Sequence, residues 1–259
     1  MENPVLKLLR KGILLYVLLL VAGGHWLSVK RTTSWERPLQ VVVHPINGDG
    51  SPRSDEYIGR LDADAFDGVA AFINEEAAHH GVALDEPMRM VLGRTVTEQP
   101  PMPPAGAGTL SIMLWSLKLR YWAWQVDRGD DPPSSDIEIY VRYFDPDAYP
   151  RLAHSLGLQK GLIGVVNAYG SRDQAGSNRV IIAHEILHTL GATDKYDSAT
   201  GQPLYPDGYA EPHASPRHPQ DLAELMGGRI PVTAATSTTP VSLQEVVVGS
   251  ATAREIRWR

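Results

Sequence analysis

Residues 177–197 of the chain read SNRVIIAHEILHTLGATDKYD, and this stretch decides the fold. Its apolar side chains recur at three- and four-residue spacing, which predicts an amphipathic helix from Ser177 to Leu190. Gly191 follows the helix, and a glycine can adopt the positive φ that ends a helix sharply. The apolar face of the helix would pack against a sheet and comprises Ala183, Ile186, Leu187 and Leu190.

The same helix carries the motif HExxH at residues 184–188. Residues four apart lie on one face of a helix, so His184 and His188 can bind a single ion. Catalytic zinc sites in proteins keep one position open for water, whose pKa the metal lowers to about 7. Glu185 directly follows the first histidine and can take a proton from that water. These positions predict Glu185 as the catalytic base.

A third ligand is expected from the chain that turns back after Gly191. Asp194 lies six residues past His188, and aspartate binds zinc at about 2.0–2.2 Å. A bare HExxH motif arises by chance in some chains, whereas HExxHxxGxxD gives every element of a three-ligand site. The sequence therefore predicts one Zn²⁺ per chain, held by His184, His188 and Asp194. The alternative is that Asp197 or a water completes the shell.

These residues resemble the motif of the metzincins, HExxHxxGxxH followed by a methionine turn. Aspartate here replaces the third histidine, as in some metzincin-like peptidases. Leu225-Met226-Gly227-Gly228 is similar to the methionine turn, which would place Met226 beneath the metal; the alternative is a core methionine unrelated to the metal. The resemblance spans roughly residues 39–230. It implies a zinc metalloendopeptidase that acts on a peptide or protein, with a catalytic domain over 39–259.

The sequence departs from the metzincin pattern after the methionine. Many metzincins place a tyrosine two residues later, where this chain has Gly228. Three other tyrosines are candidates to stabilise the oxyanion, namely Tyr196, Tyr205 and Tyr209. Two other functions stay open: an inactive metal-bearing module that binds peptides or cell-wall fragments, and a zinc hydrolase that cleaves a non-peptide amide or ester.

The rest of the chain predicts an α/β (α+β) domain with a twisted mixed sheet of the metzincin type. Alternating or continuous apolar runs predict strands, and three- to four-residue spacing predicts helices. The tryptophan-rich segment 112–124 is compatible with a helix or a strand. The predicted strands are 39–45, 88–96, 137–144 and 161–168; the other predicted helices are 62–81 and 242–257; the predicted loops are 98–108 and 127–136.

The N-terminus carries the layout of a signal anchor or a signal peptide over residues 1–29. Lys7, Arg10 and Lys11 precede an apolar run from residue 13 to 22, which continues more weakly to residue 29. The basic flank favours a catalytic domain outside the cytoplasm, periplasmic or extracellular, that is anchored in the membrane. The alternatives are secretion after signal cleavage and a buried helix. Residues 30–38 are predicted to be a linker.

Composition limits the remaining classes of function. The chain has 259 residues, 43% of them hydrophobic, and a formal net charge of -6. It contains no cysteine, which excludes disulfides, thiolate zinc sites and a cysteine nucleophile. No dense basic run follows the N-terminal segment, so nucleic acid is not an expected partner. For Trp115, Trp122 and Trp124, a packed core is favoured over a substrate groove or a membrane contact.

Overall fold

The computed structural model describes residue 12 and residues 32–104, 106, 108–127, 135–158 and 162–258. Apart from residue 12, the predicted membrane or signal segment lies outside the described residues, as does most of the loop predicted at 127–136. Of the helices that are described, none combines the length and the apolar character needed to cross a bilayer.

A five-stranded sheet forms the centre of the domain. The strands are β1 (Leu39–Asn47), β2 (Met88–Leu92), β3 (Ile137–Phe144), β4 (Leu156–Leu158) and β5 (Ile163–Tyr169). Their order in the sheet is β2-β1-β3-β5-β4; β4 is antiparallel to β5, and every other pair is parallel. The prediction of a mixed α/β fold is thereby confirmed, with a mostly parallel sheet.

Helices cover both faces of the sheet, because successive strand residues point to opposite sides. Ile139 and Val141 of β3 lie in the main core, whereas Tyr140 between them lies in a second core. The main core is shared by α1 (Pro52–Ile58), α2 (Asp67–His79), α4 (Ala175–Leu190) and α5 (Ser250–Glu255). The second core is covered by α3 (Thr109–Asp127).

Segment 112–124, for which helix and strand were both open, belongs to helix α3. Helix α1 and strand β4 were not predicted from the sequence. Helix α1 is a short helix whose N-terminus is capped by Ser51, since the Ser51 hydroxyl accepts a hydrogen bond from the Ser54 amide at 3.1 Å. Strand β4 has only three residues, too few to show a pattern.

Three predicted boundaries need correction. The helix expected from residue 62 begins at Asp67, and the strand expected to reach Val96 ends at Leu92. The C-terminal helix predicted from residue 242 is wrong up to residue 249. A 3₁₀ turn there precedes β9 (Val246–Val247). The run forms a strand because β-branched residues favour strands over helices. Strand β9 pairs with β6 (Ala223–Glu224), and a small hairpin joins β7 (Ile230–Pro231) to β8 (Ser237–Thr238).

Part of the predicted linker packs onto the domain. The Trp35 side chain is buried, and its Nε1 donates a hydrogen bond to the Ile256 carbonyl oxygen at 2.8 Å. Its ring meets the Trp258 ring edge-on, with 5.8 Å between centroids. The chain that enters the domain is thus joined to the chain that leaves helix α5.

Replacing Ile139 with Ala tests the central position of β3. Ile139 is fully buried, and the cavity should lower the free energy of unfolding by about 2–5 kcal/mol. The matched variant Ile112→Ala removes the same atoms from a side chain that is 38% exposed and should cost about 0.5 kcal/mol or less. Urea unfolding of both variants measures the difference; equal losses would show that β3 does not lie at the core.

Candidate metal centre

The end of helix α4 sets the geometry of the site. Gly191 has a φ of 109°, the left-handed conformation expected of it. The Gly191 amide donates to the His188 carbonyl at 3.1 Å, and the Ala192 amide donates to the Leu187 carbonyl at 3.0 Å. These two bonds close the helix and reverse the chain. The residues that follow therefore return toward the helix face that carries the histidines.

His184, His188 and Asp194 form a group that could hold a metal ion, with one ligand atom from each lying within 4.8 Å of the others. Asp194 Oδ1 is 3.2 Å from His184 Nε2 and 3.1 Å from His188 Nε2. A tetrahedral shell with bonds of about 2.0–2.1 Å separates neighbouring donors by about 3.3 Å, so this spacing fits a small divalent cation. The aspartate side chain is 43% exposed, which leaves the group open to solvent.

The second nitrogen of each histidine is bound to the backbone. His184 Nδ1 lies 2.9 Å from the Leu225 carbonyl oxygen, and His188 Nδ1 lies 2.8 Å from that of Ala192. A carbonyl oxygen only accepts hydrogen bonds, so each Nδ1 carries a hydrogen, and in the neutral ring the lone pair lies on Nε2. This arrangement orients both rings for metal binding, as partners behind metal ligands commonly do.

Glu185 lies beside the group with an unused oxygen. Its side chain is buried, and Oε2 has no hydrogen-bond partner among the described residues. Burial raises the pKa of the Glu185 carboxyl, and the neighbouring His184 and His188 partly offset that effect. A buried carboxylate oxygen without a partner is costly unless another group or a ligand satisfies it.

Strand β4 passes directly over this part of helix α4. A Cβ added at Gly157 would collide with His188 Cβ and would lie 2.8 Å from the Glu185 carbonyl oxygen and 3.1 Å from its Oε2. Only a glycine allows the strand to come this close. The edge of the sheet is therefore in contact with the candidate site.

The ionisable side chains at the site shift one another's pKa values. Burial alone would raise the pKa of Asp194, but its hydrogen bonds with the two histidines hold that pKa well below its usual range. Burial alone would lower the pKa of His188, but Asp194 and Glu185 together raise it. Two carboxylates thus attract positive charge to the point where the two Nε2 atoms converge.

Asp197, the alternative ligand, accepts hydrogen bonds within its own loop. Its Oδ1 accepts hydrogen bonds from the Ala199 amide at 3.1 Å, from the Thr200 amide at 2.8 Å and from the Thr200 hydroxyl at 2.8 Å. These bonds stabilise a local turn, as aspartate commonly does in loops. The geometry thus favours Asp194 over Asp197 as the third ligand.

The segment around Met226 forms a turn in the core, at the place where the methionine turn was predicted. Met226 is fully buried, and its carbonyl oxygen accepts a hydrogen bond from the Lys195 amide at 2.8 Å. Leu225, one residue earlier, supplies the carbonyl that orients His184. The buried Glu224 carboxylate accepts hydrogen bonds from the Gly227 amide at 2.7 Å and from the Thr252 hydroxyl at 2.6 Å. The turn therefore lies between the metal group and helix α5.

Of the three candidate tyrosines, Tyr196 contacts the group. Its ring centroid is 6.5 Å from that of His184, and burial together with Asp194 raises the pKa of its hydroxyl to about 12. Tyr205 and Tyr209 pack against each other with 5.5 Å between centroids. The Tyr209 hydroxyl lies 3.2 Å from Nε2 of His218, in the loop-rich segment before β6.

A contact that the sequence does not predict clamps the loop that carries Asp194. Glu255 of helix α5 accepts hydrogen bonds from the Thr193 amide at 2.9 Å and from the Thr193 hydroxyl at 2.8 Å. The same carboxylate pairs with the buried Lys195 ammonium at 2.7 Å. Thr193 and Lys195 flank Asp194, so Glu255 holds the residue on each side of it, Thr193 through its amide and hydroxyl and Lys195 through its ammonium. The partners are about 60 positions apart in the sequence, and no local pattern could have indicated the contact.

Comparison of the sequence with protein-family models and with curated proteins finds no match. The chemistry of the group is therefore inferred from the geometry of its own residues.

Replacing Glu255 with Ala should weaken metal binding. The loop that carries Asp194 loses its clamp, so the dissociation constant for zinc should rise on the order of tenfold, the scale found for partners behind metal ligands. Competition titration with a zinc-binding dye measures the change, and circular dichroism checks the fold. The control is Glu75→Ala on an exposed position of α2. Equal dissociation constants for the two variants would contradict the positioning role.

Proposed function

We propose that this chain is a zinc-dependent metallopeptidase of the metzincin type, which hydrolyses peptide bonds with Glu185 as general base. One observation carries the proposal. The Nε2 atoms of His184 and His188 converge on Asp194 Oδ1, and beside them lies a Glu185 oxygen that has no hydrogen-bond partner among the described residues.

Zinc is the metal that this donor set suits best. Two imidazoles and one carboxylate form a common catalytic zinc set, and three protein ligands leave one position open. When bound, zinc acts as a Lewis acid on a carbonyl oxygen and lowers the pKa of water. His184, His188 and Asp194 would hold the ion.

The residues of the chain would divide the proton transfers among them. Glu185 would accept a proton from the attacking water and pass it to the amine of the leaving group, since a raised carboxyl pKa suits both roles. Tyr196 would donate a hydrogen bond to the developing oxyanion. Its raised pKa keeps the phenol protonated and able to donate at neutral pH.

The edge of the sheet supports a peptide as the substrate. Among the described strands, β4 pairs with β5 alone and ends the sheet on that side. An extended peptide could add to this edge through backbone hydrogen bonds. Gly157 places the strand against Glu185 and His188, so a peptide bound there would lie close to the metal group.

Fold type and location are part of the same proposal. The mostly parallel sheet with one antiparallel edge strand, the reversal at Gly191 and the turn at Met226 support a metzincin-type domain. The apolar run within residues 1–29 supports a position outside the cytoplasm, either anchored in the membrane or secreted after cleavage.

Two other functions compete with this one. A metal-bearing binding module would need no base, and Glu185 Oε2, which no other described residue binds, argues against it. A zinc hydrolase for a non-peptide amide or ester would use the same residues, so substrate assays are needed to separate it from a peptidase.

Replacing Glu185 with Gln in the zinc-loaded protein tests the mechanism. Loss of the base should lower kcat/KM for peptides about 10²–10⁴-fold while zinc content stays the same. Digestion of a peptide library with mass-spectrometric readout measures the activity, and Glu75→Gln is the matched control. Retained activity in Glu185→Gln would rule out its role. Cleavage of esters or small amides without peptide cleavage would support the non-peptide hydrolase, and zinc binding without any hydrolysis would support the binding module.

A further inference from the structure

Helix α3 is apolar on two sides. Its inner face places Trp115, Leu119, Ala123 and Val126 in the second core. Its outer face carries six large apolar or aromatic side chains that are each between 47% and 70% exposed: Leu110, Met113, Leu114, Leu117, Tyr121 and Trp124. Single exposed apolar residues are ordinary, but a continuous apolar stripe of this kind marks a surface that is covered in use.

Cationic side chains border this outer face. At 3.6 residues per turn, the six side chains occupy an arc of about 100° around the helix, and Lys118 and Arg120 lie just outside its two edges. Both are exposed. The sequence from residue 109 to 126 contains no acidic residue, although the whole chain has a net charge of -6. An apolar stripe with basic borders is the pattern of helices that lie in a membrane interface.

The C-terminal half of α3 lies near the first described part of the chain. Arg120 and Trp124 line a groove together with Asp136. Asp136 forms an ion pair with Arg37, at 2.5 Å between Nη2 and Oδ1. Only residues 30–36 lie between Arg37 and the apolar run that ends at residue 29, and the eight residue steps from 29 to 37 span at most roughly 28 Å. An anchor that ends at residue 29 would therefore hold Arg37, and with it the neighbouring end of α3, within roughly 28 Å of the bilayer.

We propose that the outer face of α3 docks on the surface of a phospholipid bilayer that contains anionic lipids. The six side chains would enter the interface, and Lys118 and Arg120 would contact headgroup phosphates. Tyr121 and Trp124 are residue types that favour the interface. The helix lies on the membrane and does not cross it, in agreement with its limited apolar character. Helix α4, on the opposite face of the sheet, stays on the side away from the lipid.

Charge separates this occupant from two others. The chain's own apolar run, residues 13–29, contains no acidic residue that could pair with Lys118 or Arg120. A second copy that docked through the same face would bring the Lys118 and Arg120 borders together, and the one acidic residue of α3, Asp127, lies at its last position outside the stripe. Lipid phosphates satisfy both the apolar stripe and its basic borders.

The absence of cysteine from the chain permits a direct test. Leu117→Cys on the outer face and the control Ala78→Cys, an exposed position on α2, are each labelled with the fluorophore NBD in the full-length chain. The labelled proteins are reconstituted into vesicles of phosphatidylcholine and phosphatidylglycerol. Quenching is then compared between doxyl-labelled lipid and iodide in the water phase.

The proposal predicts that doxyl lipid removes most of the NBD fluorescence at position 117 and that iodide removes little, with the reverse at position 78. The double variant Lys118→Glu, Arg120→Glu in the Leu117→Cys chain should lose lipid quenching in anionic vesicles. Equal iodide quenching at 117 and 78 would overturn the proposal, because the outer face of α3 would then be exposed to water. Protection of position 117 from both quenchers would also overturn it, because a protein surface would then be the occupant.

Discussion

The convergence of two imidazole nitrogens and one carboxylate oxygen depends on the reversal of the chain at Gly191. The helix places His184 and His188 on one face, but the third donor comes from beyond the helix end. The positive φ of 109° at Gly191 turns the backbone so that Asp194 Oδ1 comes within 3.2 Å of both histidines. A residue with a Cβ would resist that conformation. The candidate metal centre is thus a consequence of how one helix ends.

The C-terminal part of the chain is the frame that keeps this geometry fixed. The Leu225 carbonyl orients His184, and Glu255 holds both neighbours of Asp194. The buried Glu224 joins these two supports, since it binds the turn at Gly227 and the Thr252 hydroxyl of α5. His184 and Asp194 are therefore tied to the C-terminal part of the chain, and a group held in this way needs little reorganisation to bind an ion.

Local patterns predicted the elements that have a single buried face or continuous burial. Strand β3 and helix α4 are of this kind, and so is the spacing of the histidines. The sequence of helix α3 was compatible with a helix or a strand, because apolar residues on two faces hide the helical period of hydrophobicity. The outer of these two faces is the one proposed to dock on a bilayer. The C-terminal helix was mispredicted because the β-branched run at Val246 outweighs a capping pattern. The contacts of Gly157 and Glu255 join distant segments, so no local signal could have shown them.

Zinc content and X-ray absorption, measured on the full-length chain and on the variants Asp194→Ala and Asp197→Ala, test whether His184, His188 and Asp194 form a zinc site. We expect one zinc per chain in the parent, with two imidazole nitrogens and a carboxylate oxygen at about 2.0–2.2 Å. Zinc binding should be lost or markedly weakened in Asp194→Ala and unchanged in Asp197→Ala. A parent chain that binds no zinc after refolding with the metal, or an Asp194→Ala variant with an unchanged shell, would contradict these expectations.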